Sequence, residues 1–119
     1  MPSRENHLVA ARANETLAMA MIETHQAHAW AIVLAFYAAL HWVDALLASA
    51  SIHPESHSRR NLFVARTQLR TVIEPYQALR DFSQDARYEL VPFSESKARA
   101  LIAGELADIK SHVQRLLTP

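Results

Sequence analysis

The sequence predicts a single all-helical domain spanning residues 1–119, folded as an up-and-down antiparallel bundle of four to five helices. Three observations support this fold class. Half of the residues are hydrophobic, which is enough to build a core. The chain has one glycine, Gly104, and is rich in alanine and leucine, a composition that favours helices over hairpins and phosphate loops. Apolar residues also recur at steps of three and four along most of the chain.

The first two predicted helices occupy the N-terminal part of the chain. Helix one is predicted from about Glu5 to Glu23, because its apolar residues line up along one side. Helix two is predicted from about Gln26 to Ala50. Its apolar residues face almost every direction, which is typical of a central buried helix.

Proline and serine residues separate the remaining predicted helices. Pro54 lies in the clearest loop, and either Ser56 or Ser58 is placed to cap helix three. We expect Pro75 to kink or end that helix, with helix four continuing beyond it. Ser94 is a candidate N-cap for helix five, which has an amphipathic stripe made of Ala98, Ile102, Leu106, Ile109, Val113 and Leu116.

Charge and composition restrict the classes of function. Twelve basic and twelve acidic residues cancel, so the overall charge favours no nucleic-acid partner. The chain has no cysteine, which excludes disulfides, thiolate metal sites and a cysteine nucleophile. The seven histidines lack the spacing of a converging ligand set, so we expect no metal and no other cofactor. The polar N-terminus and a longest apolar run of only Ala29 to Leu40 predict a cytoplasmic protein without a membrane segment.

Helix two carries a polar stripe within its most apolar stretch. Tyr37, His41 and Asp44 fall within roughly 60° of one another around the predicted helix. One interpretation is that these groups satisfy each other and neighbouring helices inside the bundle. The other is that they line a cleft or a subunit interface, where His41 does acid–base work and Asp44 orients it. The pattern alone leaves both open.

Helix three carries four arginines with no acidic residue between them: Arg59, Arg60, Arg66 and Arg70. Guanidinium groups in this arrangement can hold phosphates through bidentate hydrogen bonds. The alternative is a solvated face that pairs with acidic residues of other helices. Arg80 and Arg87 lie seven residues apart and share one face of helix four.

Three segments, "AFYAALH" (35–41), "HPESHSRR" (53–60) and "ARYELVPFS" (86–94), are followed by a helical tail. Together they resemble the HEPN domain, a family of small helical bundles, over roughly residues 30 to 117. The most specific feature is Ala86-Arg87-Tyr88 at the end of helix four, followed by an aromatic residue and a serine cap. Glu89 stands where a variant of this motif has proline.

The resemblance implies one of two activities. Many HEPN domains are metal-independent ribonucleases with a cleft at a homodimer interface, marked by an arginine and, a short distance later, a histidine. Other members partner small nucleotidyltransferases or bind nucleotides without that motif. Here Arg87 matches the arginine, but Pro92, Phe93 and Ser94 occupy the histidine positions. The resemblance therefore implies a nucleotide- or RNA-binding or partner-dependent module of a toxin–antitoxin or defence-type system, without standard ribonuclease activity.

Two alternatives stay open at this point. One is a metal-independent ribonuclease that uses Arg87 with His41 or His57, and the other is a purely structural or interaction protein. The resemblance also implies a homodimer, with a nucleotidyltransferase-type protein, a nucleotide or RNA as further partners. The candidate ligand-binding residues are Tyr37, His41, Asp44, Arg59, Arg60, Arg87 and Tyr88.

Overall fold

The computed structural model describes residues 2–25 and 27–118, and every regular element within them is helical. The elements in chain order are α1 (Arg4–Glu23), α2 (His28–Ser49), α3 (His57–Arg66), a 3₁₀ segment (Gln68–Val72), α4 (Ile73–Tyr88), α5 (Glu95–Leu101), a π-helical segment (Ile102–Leu106) and α6 (Ala107–Leu117). The 3₁₀ segment runs directly into α4, and the last three elements also follow one another without a break, so this described part contains five continuous helical stretches. The all-helical class is thereby confirmed.

Helix α2 is the centre of the fold. Helices α1, α4, α5 and α6 all pack against it. By length and composition α2 would be able to cross a membrane, but most of its apolar window is buried by the other helices. That burial is typical of the core helix of a bundle. The apolar surface of α2 is therefore largely covered within one chain, with Trp30 an exposed exception.

Serine side chains begin three of the helices. The hydroxyls of Ser3, Ser56 and Ser94 each accept a hydrogen bond from the backbone N–H three residues later. Each bond satisfies one of the N–H groups that a helix start leaves without a partner. The prediction of a cap at Ser94 is confirmed, and of the two candidates before α3 it is Ser56 that forms the cap.

The sequence predicts the end of helix three near Pro75, but the helix ends earlier in the chain, before Thr67. Helix α3 ends at Arg66, and Thr67 has an extended backbone and a side chain that accepts a hydrogen bond from the N–H of Leu69. Pro75 lies in the first turn of α4, where its missing N–H would have had no partner inside the helix. The prediction that Pro75 ends or kinks helix three was wrong, because this proline is near a helix start.

The core lies between α2 and the helices around it. Its largest fully buried side chains are Trp42, Tyr76, Phe36, Ile22, Ile32, Leu69, Leu79, Leu101, Leu106 and Ile109. The core of α2 runs along most of its length and includes Leu40, and Ile109 of α6 is fully buried as well. The same helix also brings Tyr37 and Asp44 to contacts with α4 and α3, which positions the site described next.

Candidate functional site

A cleft of about 250 Å³ opens between α3 and α4, with Phe36 of α2 at its base. Its lining residues are Phe36, His57, Ser58, Asn61, Arg80, Gln84 and Arg87. The lining residues of α3 and of α4 are spaced mostly three or four residues apart, so each set lies on one face of its helix. The two faces border the cleft from opposite sides. The lining contains two arginines and no acidic residue, a composition that attracts an anion.

Arg87 is held in the wall of this cleft by two tyrosines. Its Nη1 donates a hydrogen bond of 3.0 Å to the hydroxyl of Tyr37. Its guanidinium carbon lies 5.7 Å from the ring centre of Tyr37 and 4.9 Å from that of Tyr88. Across residues 2–25 and 27–118, Arg87 forms no ion pair with a carboxylate. Its charge is therefore oriented by neutral partners and is not neutralised within the described chain.

Arg80, about two turns earlier on the same face of α4, has only a weak acidic neighbour. Its Nη2 lies 3.3 Å from the carboxylate of Asp81, a side chain that is 63% exposed. Water screens an ion pair with such an exposed carboxylate, so the attraction between the two charges is weak. With the amide of Asn61 oriented so that its oxygen faces Arg80, Asn61 accepts a hydrogen bond from that guanidinium. Arg80 is thus also directed at the cleft and remains able to bind an anion.

Asp44 is neutralised by Arg60 and not by Arg87. The Nε and Nη2 atoms of Arg60 donate hydrogen bonds of 2.7 and 3.1 Å to the two carboxylate oxygens. Burial opposes the charge of Arg60, but the hydrogen bonds and attraction of Asp44 outweigh it, so the pKa of Arg60 is raised above its ordinary value. Asp44 therefore takes its arginine partner from α3, and the end of α4 does not supply it.

His41 lies against α1 and not in the cleft. Its Nδ1 is 3.0 Å from the Nδ1 of His7, so one imidazole donates and the other accepts. Burial lowers the pKa of both histidines, which favours the neutral pair. Within residues 2–25 and 27–118, His41 forms its side-chain hydrogen bond with His7 and none with Asp44, so the acid–base arrangement of His41 with Asp44 is not formed there.

His57 is the histidine that lines the cleft. Its Nδ1 lies 3.3 Å from Nη1 of Arg60, and an arginine can only donate, so Nδ1 is the acceptor. Burial and the positive charges of Arg60 and Arg87 lower the pKa of His57, which favours its neutral form near pH 7. In that form the ring proton is on Nε2, so His57 offers the cleft a donor.

The predicted ligand-binding residues are thus divided among separate places. Arg87 lines the cleft, and both Tyr37 and Tyr88 contact it. Arg60 and Asp44 form a buried pair behind the cleft. Arg59 lies outside the cleft, with its guanidinium carbon 5.8 Å from the ring centre of Phe63.

The sequence-based candidates omitted five lining residues: Phe36, Ser58, Asn61, Arg80 and Gln84. A signal was present for the last three. Asn61 follows His57 by four residues on α3, and Gln84 falls between Arg80 and Arg87 at steps of four and three on α4. The spacing places each set on one helix face, but it does not tell which faces meet.

No group of three or more histidine, aspartate or glutamate side chains within residues 2–25 and 27–118 is arranged to hold a metal ion. Comparison with protein-family models and with curated proteins found no match to this chain. The chemistry of the cleft is therefore the basis for a functional proposal.

Proposed function

We propose that this protein is a HEPN-like module that binds the phosphate groups of a nucleotide or RNA in the cleft between α3 and α4. Its biological setting would be a partner-dependent toxin–antitoxin or defence-type system. The observation that carries the proposal is the state of Arg87, which faces the cleft beside Arg80, is oriented by Tyr37 and has no carboxylate partner in the described chain.

The donors around the cleft suit a phosphate better than an apolar ligand. Arginine binds phosphate oxygens through two parallel N–H groups, and Arg80 and Arg87 together offer two such forks. His57 adds a donor through Nε2, and the side chains of Ser58 and Gln84 add neutral donors. Because Tyr37 already fixes Arg87, less side-chain entropy is lost when the ligand binds.

The same geometry favours binding over the ribonuclease alternative. A metal-independent ribonuclease needs a base that takes the proton from the attacking 2′-hydroxyl. His57 accepts from Arg60 at Nδ1, which leaves Nε2 protonated, and His41 is engaged by His7 away from the cleft. Neither candidate histidine therefore offers a free imidazole nitrogen beside Arg87.

A homodimer and a nucleotidyltransferase-type partner remain predictions from the resemblance. Since α2 is covered by helices of its own chain, its apolar composition gives no independent argument for a dimer. Light scattering at micromolar concentration tests the homodimer, and a monomeric mass would contradict that prediction.

The binding proposal is tested with a fluorescent single-stranded RNA octamer, titrated against the wild type and three single-arginine variants. Arg87→Ala and Arg80→Ala should each weaken binding about tenfold or more, because each removes charge-assisted hydrogen bonds to phosphate. Arg59→Ala is the matched control, since it removes the same charge from an exposed position outside the cleft. It should change affinity by less than about twofold.

The outcomes separate the candidate functions. Equal weakening by Arg59→Ala and Arg87→Ala would mean that binding depends on general charge and would reject the cleft. Absence of binding by the wild type to the octamer, AMP and pyrophosphate would reject the proposal outright. Cleavage of the octamer in the presence of EDTA, lost in Arg87→Ala, would instead establish the ribonuclease alternative.

A further inference from the structure

Tyr88 presents an open aromatic face beside the proposed phosphate cleft. The guanidinium of Arg87 lies over its ring, with the guanidinium carbon 4.9 Å from the ring centre. The residue nevertheless remains 70% exposed. An exposure this high requires that the ring face opposite Arg87 is open to solvent. A large flat apolar surface is thus joined directly to the arginine that lines the cleft.

The backbone at the end of α4 fixes where the Tyr88 side chain leaves the helix. Tyr88 is the last residue of the helix, and the N–H groups of Glu89 and Val91 both donate to the carbonyl of Asp85, at 3.2 and 3.3 Å. Leu90 adopts a left-handed conformation with φ of 53°, which turns the chain away from the helix axis. Tyr88 and Arg87 are therefore held as neighbours by a closed helix end.

We propose that the open face of Tyr88 stacks an unpaired nucleobase of the ligand whose phosphate binds in the cleft. This inference rests on the proposed function. An aromatic ring stacks any base through its π face, so the contact is tolerant of sequence. The bases of a duplex already stack on one another along both faces, whereas a single strand leaves them available. The ligand class is therefore single-stranded nucleic acid.

The phosphate contact in the cleft and the stacking contact on Tyr88 are separated, which favours an oligonucleotide over a mononucleotide as the ligand. The base lies on the side of the Tyr88 ring away from Arg87, so the ring itself stands between base and guanidinium. An oligonucleotide carries further phosphates and bases along the strand and can contact the cleft and the ring together. Inorganic phosphate and a ribose phosphate without a base can contact only the cleft.

The experiment compares two fluorescent octamers of equal charge, one of adenylates and one of abasic ribose phosphates. Both are titrated against the wild type, Tyr88→Ala, Tyr88→Phe and Arg87→Ala. Tyr88→Ala should weaken binding of the adenylate octamer about tenfold more than binding of the abasic octamer, because stacking needs a base whereas a loosened Arg87 affects both octamers alike. Tyr88→Phe keeps the ring and should retain wild-type affinity. Arg87→Ala should weaken binding of both octamers, since both carry phosphates.

The outcomes distinguish this inference from the proposed function. An unchanged affinity of Tyr88→Ala for the adenylate octamer, with Arg87→Ala still weak, overturns the stacking and leaves the phosphate cleft standing. Equal weakening of both octamers by Tyr88→Ala also overturns it, because Tyr88 would then act only through Arg87. If the wild type binds neither octamer, this inference fails, and if it also binds neither AMP nor pyrophosphate, the proposed function fails with it.

Discussion

Arg60 and Asp44 join α3 to α2 through two hydrogen bonds, with side-chain exposures of only 11% and 8%. This pair explains why the most apolar helix of the chain tolerates a carboxylate. It also shows that two of the candidate arginines differ in role. Arg60 is buried and stabilises the fold, whereas Arg87 remains available at the surface of the cleft.

Asp44→Ala should lower the free energy of unfolding by about 3 to 5 kcal/mol, measured by urea denaturation. The reason is that the substitution leaves the guanidinium of Arg60 buried without its counter-charge. Glu5→Ala is the control, since it removes a carboxylate from the exposed pair with Arg4 and should have little effect. If the two substitutions lowered the free energy of unfolding equally, the Asp44–Arg60 pair would stabilise the fold no more than the exposed Glu5–Arg4 pair does.

Tyr37→Phe should weaken binding of the RNA octamer about three- to tenfold while changing the free energy of unfolding by no more than about 1 kcal/mol. The substitution keeps the ring beside Arg87 but removes the hydroxyl that orients its guanidinium. Fluorescence titration and thermal unfolding measure the two effects. Tyr76→Phe provides a control that removes a buried hydroxyl outside the lining of the cleft. Equal loss of affinity in both variants would mean that Tyr37 does not position Arg87.

Stability should fall as the pH is lowered from about 7.5 to about 5, and the histidine pair should contribute to that fall. Burial lowers the pKa of His7 and of His41 below the ordinary value of 6.5, so the unfolded chain binds more protons in this window. Asp44 favours protonation of both histidines, whereas Arg60 opposes it for both and His53 opposes it for His7. The stability contributed by the neutral pair is therefore present above pH 6.5 and lost as pH falls through the lowered pKa values.

His41→Asn tests this assignment because it removes one titrating ring and leaves an amide in its place. The difference in unfolding free energy between about pH 7.5 and about pH 5 should be smaller in His41→Asn than in the wild type. Urea denaturation at the two pH values measures the difference. An unchanged difference would place the pH dependence elsewhere in the chain.

Much of the fold follows from local chemistry, which is why the sequence predicts it. Serine placement predicts the start of α5 at Ser94, and the all-round apolar composition of α2 predicts its central position. Pro75 misled the prediction because proline is equally compatible with the first turn of a helix and with the end of one. Which of these two positions Pro75 takes depends on the turn at Thr67. The sequence marks that turn less strongly than it marks the proline.

The site was less accessible to sequence reasoning because it depends on how the helices are rotated against one another. Arg59 and Arg60 are neighbours in sequence, yet one is exposed and the other is buried against Asp44. Only the rotation of α3 in the bundle decides between them. In the same way, Arg80 and Arg87 share one predictable face of α4, but their meeting with α3 is a property of tertiary packing.

Leu40→Ala and Ile109→Ala should each lower the free energy of unfolding by about 2 to 5 kcal/mol, because each deletes buried methyl groups and leaves a cavity. Leu17→Ala deletes the same atoms as Leu40→Ala from a residue that is 53% exposed, so it serves as the matched control and should have a much smaller effect. Chemical denaturation measures all three. A loss at Leu17 as large as that at Leu40 would contradict the assignment of the α2 face to the core.

Leu90→Gly should raise the free energy of unfolding by about 0.5 to 1 kcal/mol. Leu90 has a φ of 53°, a conformation that is strained for a side chain with a Cβ atom and unstrained for glycine. The residue is 83% exposed, so removal of its side chain loses little buried area. The greater freedom of glycine in the unfolded chain offsets part of the gain.

Leu90→Ala separates relief of strain from loss of the side chain, because alanine keeps the Cβ atom and hence the strain. It should leave the unfolding free energy within about 0.5 kcal/mol of the wild type. Thermal and urea denaturation of both variants make the comparison, and an equal rise in both would attribute the gain to removing an exposed apolar group. Binding of the adenylate octamer should survive in Leu90→Gly, since the backbone N–H groups of Glu89 and Val91 still close the helix end that holds Tyr88.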